Sequence, residues 1–498
     1  MKLFFRDEHL NTLLNIAEDS ESGSTFTLLF GRRKVGKTTL VKQYLKQCGG
    51  AYVTISSKST YLQLQDIREN FSQVFFAGQN VPEFNSWYSL FKFLFEQSKE
   101  QRLNVVIDEF HNMELVNKDS IEEFKKVWFE FAEGSKLNLT VISSNYDFID
   151  RHFNNQNSPL YEINSFRIKV TPFKLPEVIA LFRLHGSERD VSEIINIYII
   201  FGGLPKYYFL FERYNLWNKN IREILQELVF MDYAPLAYEL KELLVNDFSK
   251  GNKIYLSILQ AIAAGHNKMS DIARAVHIPV TNLTKYLFEL EKKKRLIRRE
   301  LPINNVEAGK SKFGRYYIKN YFENFWFQFI QPDNINYEMG QFDRMIDSIM
   351  KNLDEYVNSR MIGILHEILR LYKSSDYIKQ IFPHPISRYG AIWNRREVVD
   401  LVLESQEHQI VLFGIFAISD KPMALEQAQL FYSYFMEFKP LYQGQTKTYC
   451  FVVKVTPEEK TLEFCETNNI RLLYQKDFFN VVMTREEYSR KHMVEVAI

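Results

Sequence analysis

The chain has 498 residues, which is enough for three or four domains of ordinary size. Hydrophobic residues make up 46% and charged residues 25% of it, a composition typical of globular proteins and unlike that of disordered or fibrous ones. The net charge is only +1, but residues 250–320 hold fifteen Lys and Arg against five Asp and Glu. A basic segment in an otherwise acidic chain indicates a polyanionic partner for that segment alone.

Cysteine usage and hydropathy indicate the compartment. Three cysteines without a CxxC spacing exclude a disulfide framework and favour a reducing compartment. The amino-terminal stretch carries charges within its first apolar run, unlike a signal peptide. The longest apolar stretch, 194–211, is interrupted by Gly202, Gly203, Pro205 and Lys206, which favours a buried core segment over a membrane-spanning helix. We therefore expect a cytoplasmic protein that does not enter a membrane.

Four short apolar segments are predicted strands, each separated from the next by helical patterns: 26–30, 51–55, 103–107 and 139–143. Strands that alternate with helices predict a parallel sheet covered on both faces. Helical patterns continue from 172 to 300, with extended segments near 297–303 and 314–318, and again from 320 to 370. Strand and helix patterns alternate once more from residue 398, which predicts a second α/β region.

A glycine-bearing loop between the first predicted strand and the predicted helix Thr38–Gln47 matches the pattern G-x-x-x-x-G-K-[ST]. In such a loop the backbone N–H groups surround phosphate oxygens, the lysine reaches the β- and γ-phosphates, and the hydroxyl binds Mg²⁺. We therefore predict a site for ATP and Mg²⁺. Its residues are Gly31, Arg32, Arg33, Lys34, Val35, Gly36, Lys37, Thr38 and Thr39.

The predicted strand 103–107 runs into Asp108 and Glu109, which supply what an ATPase needs besides this loop. Mg²⁺ requires a carboxylate, and the attacking water requires a base or a positioning group. We predict that Asp108 holds Mg²⁺ through water and that Glu109 polarises the attacking water, with Lys37 as the third catalytic group.

Polar residues also follow the next predicted strand, which ends at Ser143. In sheets of this kind the strand beside the acidic pair usually carries a polar residue that faces the γ-phosphate. Ser144 and Asn145 are the candidates. A polar turn that merely closes the strand is an equally good interpretation, and the sequence leaves both open.

These motifs resemble those of the P-loop ATPases of the AAA+/STAND group and, within it, the archaeal-type ATPase family. The resemblance includes the segment 4–10, where Phe5 stands in place of the family's glycine and Arg6 is retained. It implies that Arg6 lies near the nucleotide base. The segment 201–207 resembles the GxP motif of the group, which implies that Pro205 packs beside the adenine from a helical lid. A plain helix-breaking turn is the alternative for Pro205.

One element of the family pattern is missing. The Gly-Arg that follows the family's tyrosine is replaced here by Glu162-Ile163 after Tyr161. If that arginine senses the γ-phosphate in relatives, its role is lost or passes to Arg167. A surface position is the favoured interpretation of Arg167.

The resemblance runs through most of the chain and predicts an α/β multidomain protein. It implies a P-loop NTPase core with a parallel sheet, a helical lid, a winged helix-turn-helix domain and a C-terminal α/β domain similar to the restriction-endonuclease fold. The predicted boundaries are 1–170, 171–249, 250–320 and 321–498, in that order.

The basic segment resembles a winged helix-turn-helix domain. Its first helix spans 270–276 with Ser270 as the N-cap, Pro279 and Val280 lie in the turn, and the second helix spans 281–292. Arg298 and Arg299 start the wing in this reading, and duplex DNA is the predicted partner of 270–299. In the STAND group such a domain also packs on the ATPase core and transmits its state, so both interpretations stay open.

The last domain resembles nucleases with the PD-(D/E)XK motif, whose chemistry needs a helix glutamate, a strand acid and an acid-x-lysine on the next strand. Glu367 and Asp400 match the first two. The third reads Ile415-Phe416-Ala417, which offers no polar group. We therefore predict a nuclease-like module without cleavage activity that binds a protein partner or regulates the chain.

The leading functional hypothesis is a Mg²⁺-dependent ATPase that acts as a nucleotide-driven switch. A DNA-binding regulator that binds nucleotide with little turnover is one alternative, and a defence-related nuclease is another. The sequence leaves oligomerisation open.

Overall fold

The computed structural model of the chain describes residues 5–56, 58–76, 78, 81–163, 165–239, 253–305 and 313–484. The chain divides into two compact units. The first contains Met1–Phe173 with the short segments Leu204–Phe209 and Lys292–Lys294. The second contains Lys174–Gly203, Leu210–Glu291 and Arg295–Ile498.

The first unit is built on a five-stranded sheet in the order β2-β3-β4-β1-β5, with every neighbouring pair parallel. The predicted parallel sheet is thus confirmed. Its fifth strand was not predicted, because Phe-Arg-Ile-Lys is only four residues long and lies largely exposed at the edge of the sheet. The strands are β1 (Thr25–Phe30), β2 (Ala51–Thr54), β3 (Leu103–Asp108), β4 (Leu137–Ser143) and β5 (Phe166–Lys169).

Helices of the first unit cover this sheet, and aromatic side chains dominate the core between them. Phe26 of β1 packs against Phe124 and Trp128, with ring centroids 5.3 Å apart in both pairs. All inward residues of β3 and β4 are buried, as expected for a central parallel strand. The helices are α1 (Asp7–Asp19), α2 (Lys37–Cys48), α3 (Thr60–Phe75), α4 (Trp87–Gln97), α5 (Met113–Val116), α6 (Ser120–Phe131) and α7 (Tyr146–His152).

A buried network of polar side chains ties α2 to the sheet. Asn138 of β4 donates to the Tyr44 hydroxyl at 2.6 Å and to Asn104 Oδ1 at 3.0 Å. The Asn138 oxygen accepts from Thr25 Oγ1 at 3.0 Å, and Asn104 donates to the carbonyl oxygen of Cys48 at 3.1 Å. Since α2 begins at the glycine-bearing loop, this network fixes the far end of the helix that carries the loop.

Replacement of Asn138 by alanine is expected to destabilise the chain by about 1–3 kcal/mol, because it leaves buried polar partners without their hydrogen bonds. The free energy of unfolding, measured by urea denaturation of the full chain, tests this expectation. Asn11→Ala on the exposed face of α1 is the matched control and should stay within about 0.5 kcal/mol of the original chain. Equal stability of the two variants would contradict a stabilising role for the network.

Four helices follow β5 in the chain, and the apolar stretch 194–211 forms parts of two of them. Val191–Phe201 and Pro205–Arg213 meet at the glycine-proline break with a bend of 117°. Within the described ranges no single helix is long and apolar enough to cross a membrane, and only this bent pair passes the test of length and composition together. The helices up to this point are α8 (Leu175–Leu184), α9 (Val191–Phe201), α10 (Pro205–Arg213) and α11 (Ile221–Leu228).

The basic segment contains three helices and an antiparallel pair of strands. Helices α12 (Lys253–Ala263), α13 (Met269–Ala275) and α14 (Val280–Phe288) are followed by a wide helical turn at Glu289–Lys293. Strands β6 (Ile297–Glu300) and β7 (Arg315–Ile318) then form a two-stranded sheet. Lys250, Lys310 and Lys312 of the predicted basic segment lie outside the described residues.

Two local predictions in this segment are wrong. Ser270 is not the N-cap, because α13 begins at Met269 with Lys268 before it, and no side chain caps the helix. Val280 is the first residue of α14 rather than part of the turn, since Pro279 fixes the backbone just before the helix. Leu283 and Leu287 of α14 and Leu290 of the turn after it are buried, and Tyr286 is half-buried.

The rest of the second unit has a long helix and a mixed sheet in the order β12-β11-β10-β9-β8. Strands β8, β9 and β10 are antiparallel, whereas β10, β11 and β12 are parallel. The helices are α15 (Tyr321–Phe329), α16 (Asn334–Glu338), α17 (Phe342–Tyr372), α18 (Asp376–Ile381), α19 (Leu425–Phe438), α20 (Glu459–Thr467) and α21 (Gln475–Thr484). The strands are β8 (Arg388–Trp393), β9 (Val398–Ser405), β10 (Ile410–Ala417), β11 (Thr446–Val453) and β12 (Ile470–Tyr474).

Candidate functional site

The glycine-bearing loop lies at the carboxyl end of β1, and its backbone needs both glycines. A Cβ on Gly31 would lie 2.2 Å from the carbonyl oxygen of Val170, so no larger residue fits there. Gly36 has a φ of +92°, in the left-handed region that glycine enters at little cost. Lys34 has a φ of +68°, in the same left-handed region, where a residue with a Cβ is strained. The turns bring the chain directly from β1 into α2.

Lys37 is buried, and its ammonium group lies against the backbone of the loop. Its Nζ donates to the carbonyl oxygens of Gly31 at 2.8 Å and Arg32 at 2.9 Å. Burial lowers the pKa of Lys37 to about 8, although the charges of Glu109 and Asp108 oppose this shift. Among the described residues no carboxylate is recorded as hydrogen-bonded to this partly desolvated cation, which suits it to receive an anionic ligand.

Asp108 and Thr38, which are 70 residues apart in the chain, meet at the carboxyl edge of the sheet. Thr38 Oγ1 donates to Asp108 Oδ2 at 2.9 Å, and the Tyr52 hydroxyl donates to the same oxygen at 2.7 Å. The backbone N–H of Glu109 donates to Asp108 Oδ1 at 2.8 Å. Tyr52 was missed in the sequence, because only the position of β2 beside β3 brings its hydroxyl to Asp108.

Glu109 is half-buried beside Asp108, in a left-handed backbone conformation with a φ of +53°. Burial raises the pKa of its carboxyl group, and the charge of Asp108 adds to the effect, while Arg33 and Lys37 lower it. A carboxylate with a raised pKa is a better base than an ordinary surface glutamate. The electrostatic influence of Arg33 on both Glu109 and Lys37 places this exposed side chain in their neighbourhood.

His111 is a second residue that sequence reasoning missed. It is buried, its Nε2 lies 3.3 Å from Glu109 Oε2, and its Nδ1 lies 3.4 Å from Ser143 Oγ. Burial lowers the pKa of His111 to about 4, and the charge of Arg33 contributes, so the imidazole is neutral at physiological pH. The signal that could have identified His111 is its position in the chain, two residues after Glu109.

The two candidates after β4 have different surroundings. Ser144 Oγ donates to Glu109 Oε2 at 3.3 Å. Asn145, by contrast, is the N-cap of α7, where its Oδ1 accepts from the N–H of Phe148 at 3.1 Å. The capping bond matches the interpretation of Asn145 as a polar turn that closes the strand.

Arg6 lies buried under the loop. Its guanidinium group donates to the carbonyl oxygens of Thr171 at 2.6 Å and Val35 at 3.4 Å, and it stands 5.0 Å from the ring centroid of Phe173. Arg6 therefore ties the loop to the segment after β5. Phe5 has a φ of +53°, a backbone conformation that favours glycine. Phe4, at the start of the same predicted motif, lies outside the described residues.

The sequence of the first unit is similar to that of a known domain. Residues 19–148 match a family model described as an AAA domain. The chain contains an AAA-type ATPase domain. Residues 326–415 match a model described as archaea bacterial proteins of unknown function. An uncharacterised protein of Methanocaldococcus jannaschii is 26% identical to this chain over 411 residues, which cover 82% of this chain and 85% of the relative.

Solved structures show a more distant likeness. The Walker-type ATPase PABY2304 of Pyrococcus abyssi is 19% identical, with a TM-score of 0.48, and the match covers 65% of this chain and 96% of that one. The Aeropyrum pernix ORC2 protein in its ADPNP-ADP complexes is 14% identical, with a TM-score of 0.42, and the match covers 72% of this chain and 96% of that one. Both TM-scores are below 0.5.

The remaining predicted residues around the AAA domain lie as follows. Pro205 is the first residue of α10, a position where its missing N–H costs nothing. The segment Leu204–Phe209 belongs to the first unit, and Tyr208 lies 6.3 Å from Phe173 between ring centroids. Arg167 is exposed on β5 and donates to Asn154 Oδ1 at 3.1 Å and to the carbonyl oxygen of Phe153 at 2.7 Å. These bonds agree with the surface interpretation of Arg167.

In the C-terminal sheet the two nuclease-like acids face different partners. Glu367 on α17 accepts from the N–H of Leu175 at 3.4 Å and from the Tyr198 hydroxyl at 3.3 Å. Asp400 on β9 accepts from the N–H of Phe416 at 3.0 Å, and burial raises its pKa to about 6. The two carboxyl groups thus share no recorded partner.

Proposed function

We propose that the AAA domain binds ATP with Mg²⁺ and hydrolyses it. The observation that carries this proposal is the Thr38–Asp108 contact of 2.9 Å, which places a hydroxyl and a carboxylate side by side next to the glycine-bearing loop. Mg²⁺ in nucleotide sites is held by one or two oxygen ligands of the protein together with phosphates and waters. Thr38 and Asp108 fit this requirement, and the bound ion would neutralise charge on the phosphates.

The other residues have distinct roles in the proposal. Lys37 leaves the carbonyl oxygens of Gly31 and Arg32 and binds the β- and γ-phosphates, while the loop amides of Arg32 to Thr39 surround the phosphate chain. Glu109 polarises the attacking water. Arg6 positions the loop, and Pro205 packs beside the adenine from the lid.

Isothermal titration of the full chain with ATP and Mg²⁺ tests the binding step directly. The proposal expects a heat of association with Mg²⁺ present and release of phosphate over time. No heat of association with magnesium nucleotide would overturn the proposal at its first step. Binding without phosphate release would leave a nucleotide-binding protein and remove the enzymatic part.

The proposed turnover makes the chain a nucleotide-driven switch. Support comes from the chain itself: an ATPase domain is followed by helical segments and by a separate C-terminal sheet domain, which has no acid-x-lysine on β10. Ile415 and Phe416 of β10 are both buried, Ile415 belongs to the apolar core beside the sheet, and neither side chain offers a metal ligand for cleavage. We infer that the C-terminal sheet serves binding or regulation.

Duplex DNA binding by the basic segment is a second candidate, and one observation favours it. Helix α14 has an exposed polar face with Thr281, Asn282, Thr284 and Lys285, in the part of the chain with the largest excess of positive charge. A helix of a winged helix-turn-helix domain that enters the major groove needs such a face. Arg298 of β6 is less available to phosphates, because it donates to Glu300 at 2.7 Å.

Replacement of Asn282 and Lys285 by alanine is expected to weaken duplex DNA binding by about tenfold or more, since each good base or phosphate contact is worth roughly 1–3 kcal/mol. Filter binding between 50 and 200 mM salt measures it, and the affinity of the original chain should fall steeply over that range. Lys379→Ala on the exposed face of α18 is the control. If the original chain retains no DNA at the lowest salt, this second candidate is rejected.

A further inference from the structure

The side chains around Glu109 bind its carboxylate unevenly. Ser144 Oγ lies 3.3 Å from Oε2, and His111 Nε2 lies 3.3 Å from the same oxygen. No described residue has a recorded hydrogen bond to Oε1. Oε2 therefore accepts from Ser144 and lies next to His111, while Oε1 remains available to a ligand or a water molecule.

The backbone after β3 explains how His111 reaches Glu109. Glu109 is in the left-handed region, and a tight turn follows in which the N–H of Asn112 donates to the Glu109 carbonyl oxygen at 2.8 Å. The amide of Asn112 donates to the carbonyl oxygen of Ile55 at 2.8 Å, which anchors this turn to the segment after β2. The chain thus folds back, so that the side chain of His111 returns to that of Glu109 two residues earlier.

Ser143 sets the orientation of the imidazole ring. The Ser143 hydroxyl oxygen accepts from the N–H of Asn145 at 3.2 Å, and the same hydroxyl group lies within hydrogen-bond distance of His111 Nδ1, at 3.4 Å. In the tautomer in which Nδ1 accepts from this hydroxyl, a neutral imidazole carries its proton on Nε2. The Nε2–H then lies 3.3 Å from Oε2 of Glu109, an acceptor when ionised.

We propose that His111 is a positioning residue for ATP hydrolysis: with Ser143 behind it, His111 binds Oε2 of Glu109 and directs Oε1 toward the attacking water. This inference rests on the proposed function of the AAA domain, because it names what orients the base of that reaction. His111 does not touch the reacting atoms itself. The hydrogen bond from Ser144 reaches the same oxygen, so Oε2 is contacted from two elements, the turn after β3 and the end of β4.

The comparison of His111→Gln with His111→Met tests this role. The two replacement side chains have nearly the same size and shape, but only glutamine keeps an N–H donor at the position of Nε2. We expect His111→Met to lower kcat about 10- to 100-fold, the range found when orienting partners of functional groups are removed. The KM for ATP and the affinity for a non-hydrolysable ATP analogue should stay within about twofold. His111→Gln should recover most of kcat.

Further measurements separate this role from simple packing. In a chain that already carries Glu109→Gln, His111→Met should cause no additional loss of turnover, because the group it orients is no longer a base. Equal kcat values for the glutamine and methionine variants would overturn the role of His111, and so would a loss expressed mainly in KM. If the original chain binds the analogue but releases no phosphate, the proposed hydrolysis itself is wrong. This outcome is distinct from failure of the role of His111, which is seen only by comparing the variants with an active original chain.

Discussion

The chain with Lys37→Ala is expected to lose ATP binding by at least about 100-fold, equivalent to roughly 2.7 kcal/mol or more. Lys37 is the buried cation of the loop, and its ammonium group lies 2.8 Å from the Gly31 carbonyl oxygen, within the segment that surrounds the phosphates in the proposal. Alanine removes the charge without changing the loop glycines. Isothermal titration with ATP and Mg²⁺ measures the loss, and Lys46→Ala in the exposed last turn of the same helix is the matched control.

The pH dependence of binding gives an independent check of Lys37. Burial lowers its pKa to about 8, so the ammonium group of the nucleotide-free chain loses its proton as the pH rises through that value. A neutral amine does not attract phosphates, and the ATP affinity of the original chain should therefore fall above about pH 8. The Lys37→Ala variant should lack this alkaline decline. Unchanged affinity in Lys37→Ala would count against the loop as the nucleotide site.

The loop and the acidic pair can be predicted from the sequence because each is a motif of consecutive residues. The pattern from Gly31 to Thr38 fixes a turn between a strand and a helix, and Asp108-Glu109 ends an apolar run. That Thr38 and Asp108 touch follows from a general property of parallel sheets, whose carboxyl ends lie at one edge. The loop, the acidic pair and their closeness in space can therefore be predicted from short segments of the sequence.

Site residues whose position depends on the order of the strands cannot be predicted from their own sequence segments. Tyr52 reaches Asp108 only because β2 is the neighbour of β3, and nothing in its own segment indicates this. Strand β5 was overlooked because it has only four residues, Phe166 to Lys169, and is largely exposed at the edge of the sheet. Strand β8 escaped because only its last two residues are buried, and Arg388, Tyr389 and Gly390 at its start give no apolar run.

The two nuclease-like acids illustrate a different limit. Matching Glu367 and Asp400 to a motif identifies positions in the chain but not the partners of their side chains. In the structure Glu367 accepts from the first N–H of α8 and from Tyr198, whereas Asp400 accepts from the backbone of β10. Both carboxyl groups are satisfied by the surrounding helices and strands, a use that motif spacing does not reveal.

The chain with Glu109→Gln is expected to retain ATP while kcat falls by about 10²–10⁴-fold, the usual contribution of a general base. Glutamine has nearly the same shape, and its amide oxygen can still accept from Ser144 and lie next to His111, so only the basicity of the group is lost. Glu122→Gln on the exposed face of α6 is the control and should leave turnover unchanged. Phosphate release under saturating ATP measures kcat, and titration with ATP measures retention.

Ionisation of Glu109 also determines how the original chain responds to acid. Burial raises the pKa of its carboxyl group above the ordinary value of 4.5, and only the ionised form polarises water. The rate of the original chain should therefore decline on the acid side at a higher pH than an unperturbed glutamate would give. The residual rate of Glu109→Gln should lack this acid limb. Normal turnover in that variant, with an unchanged acid limb, would assign the role of base to another group and leave His111 with nothing to position.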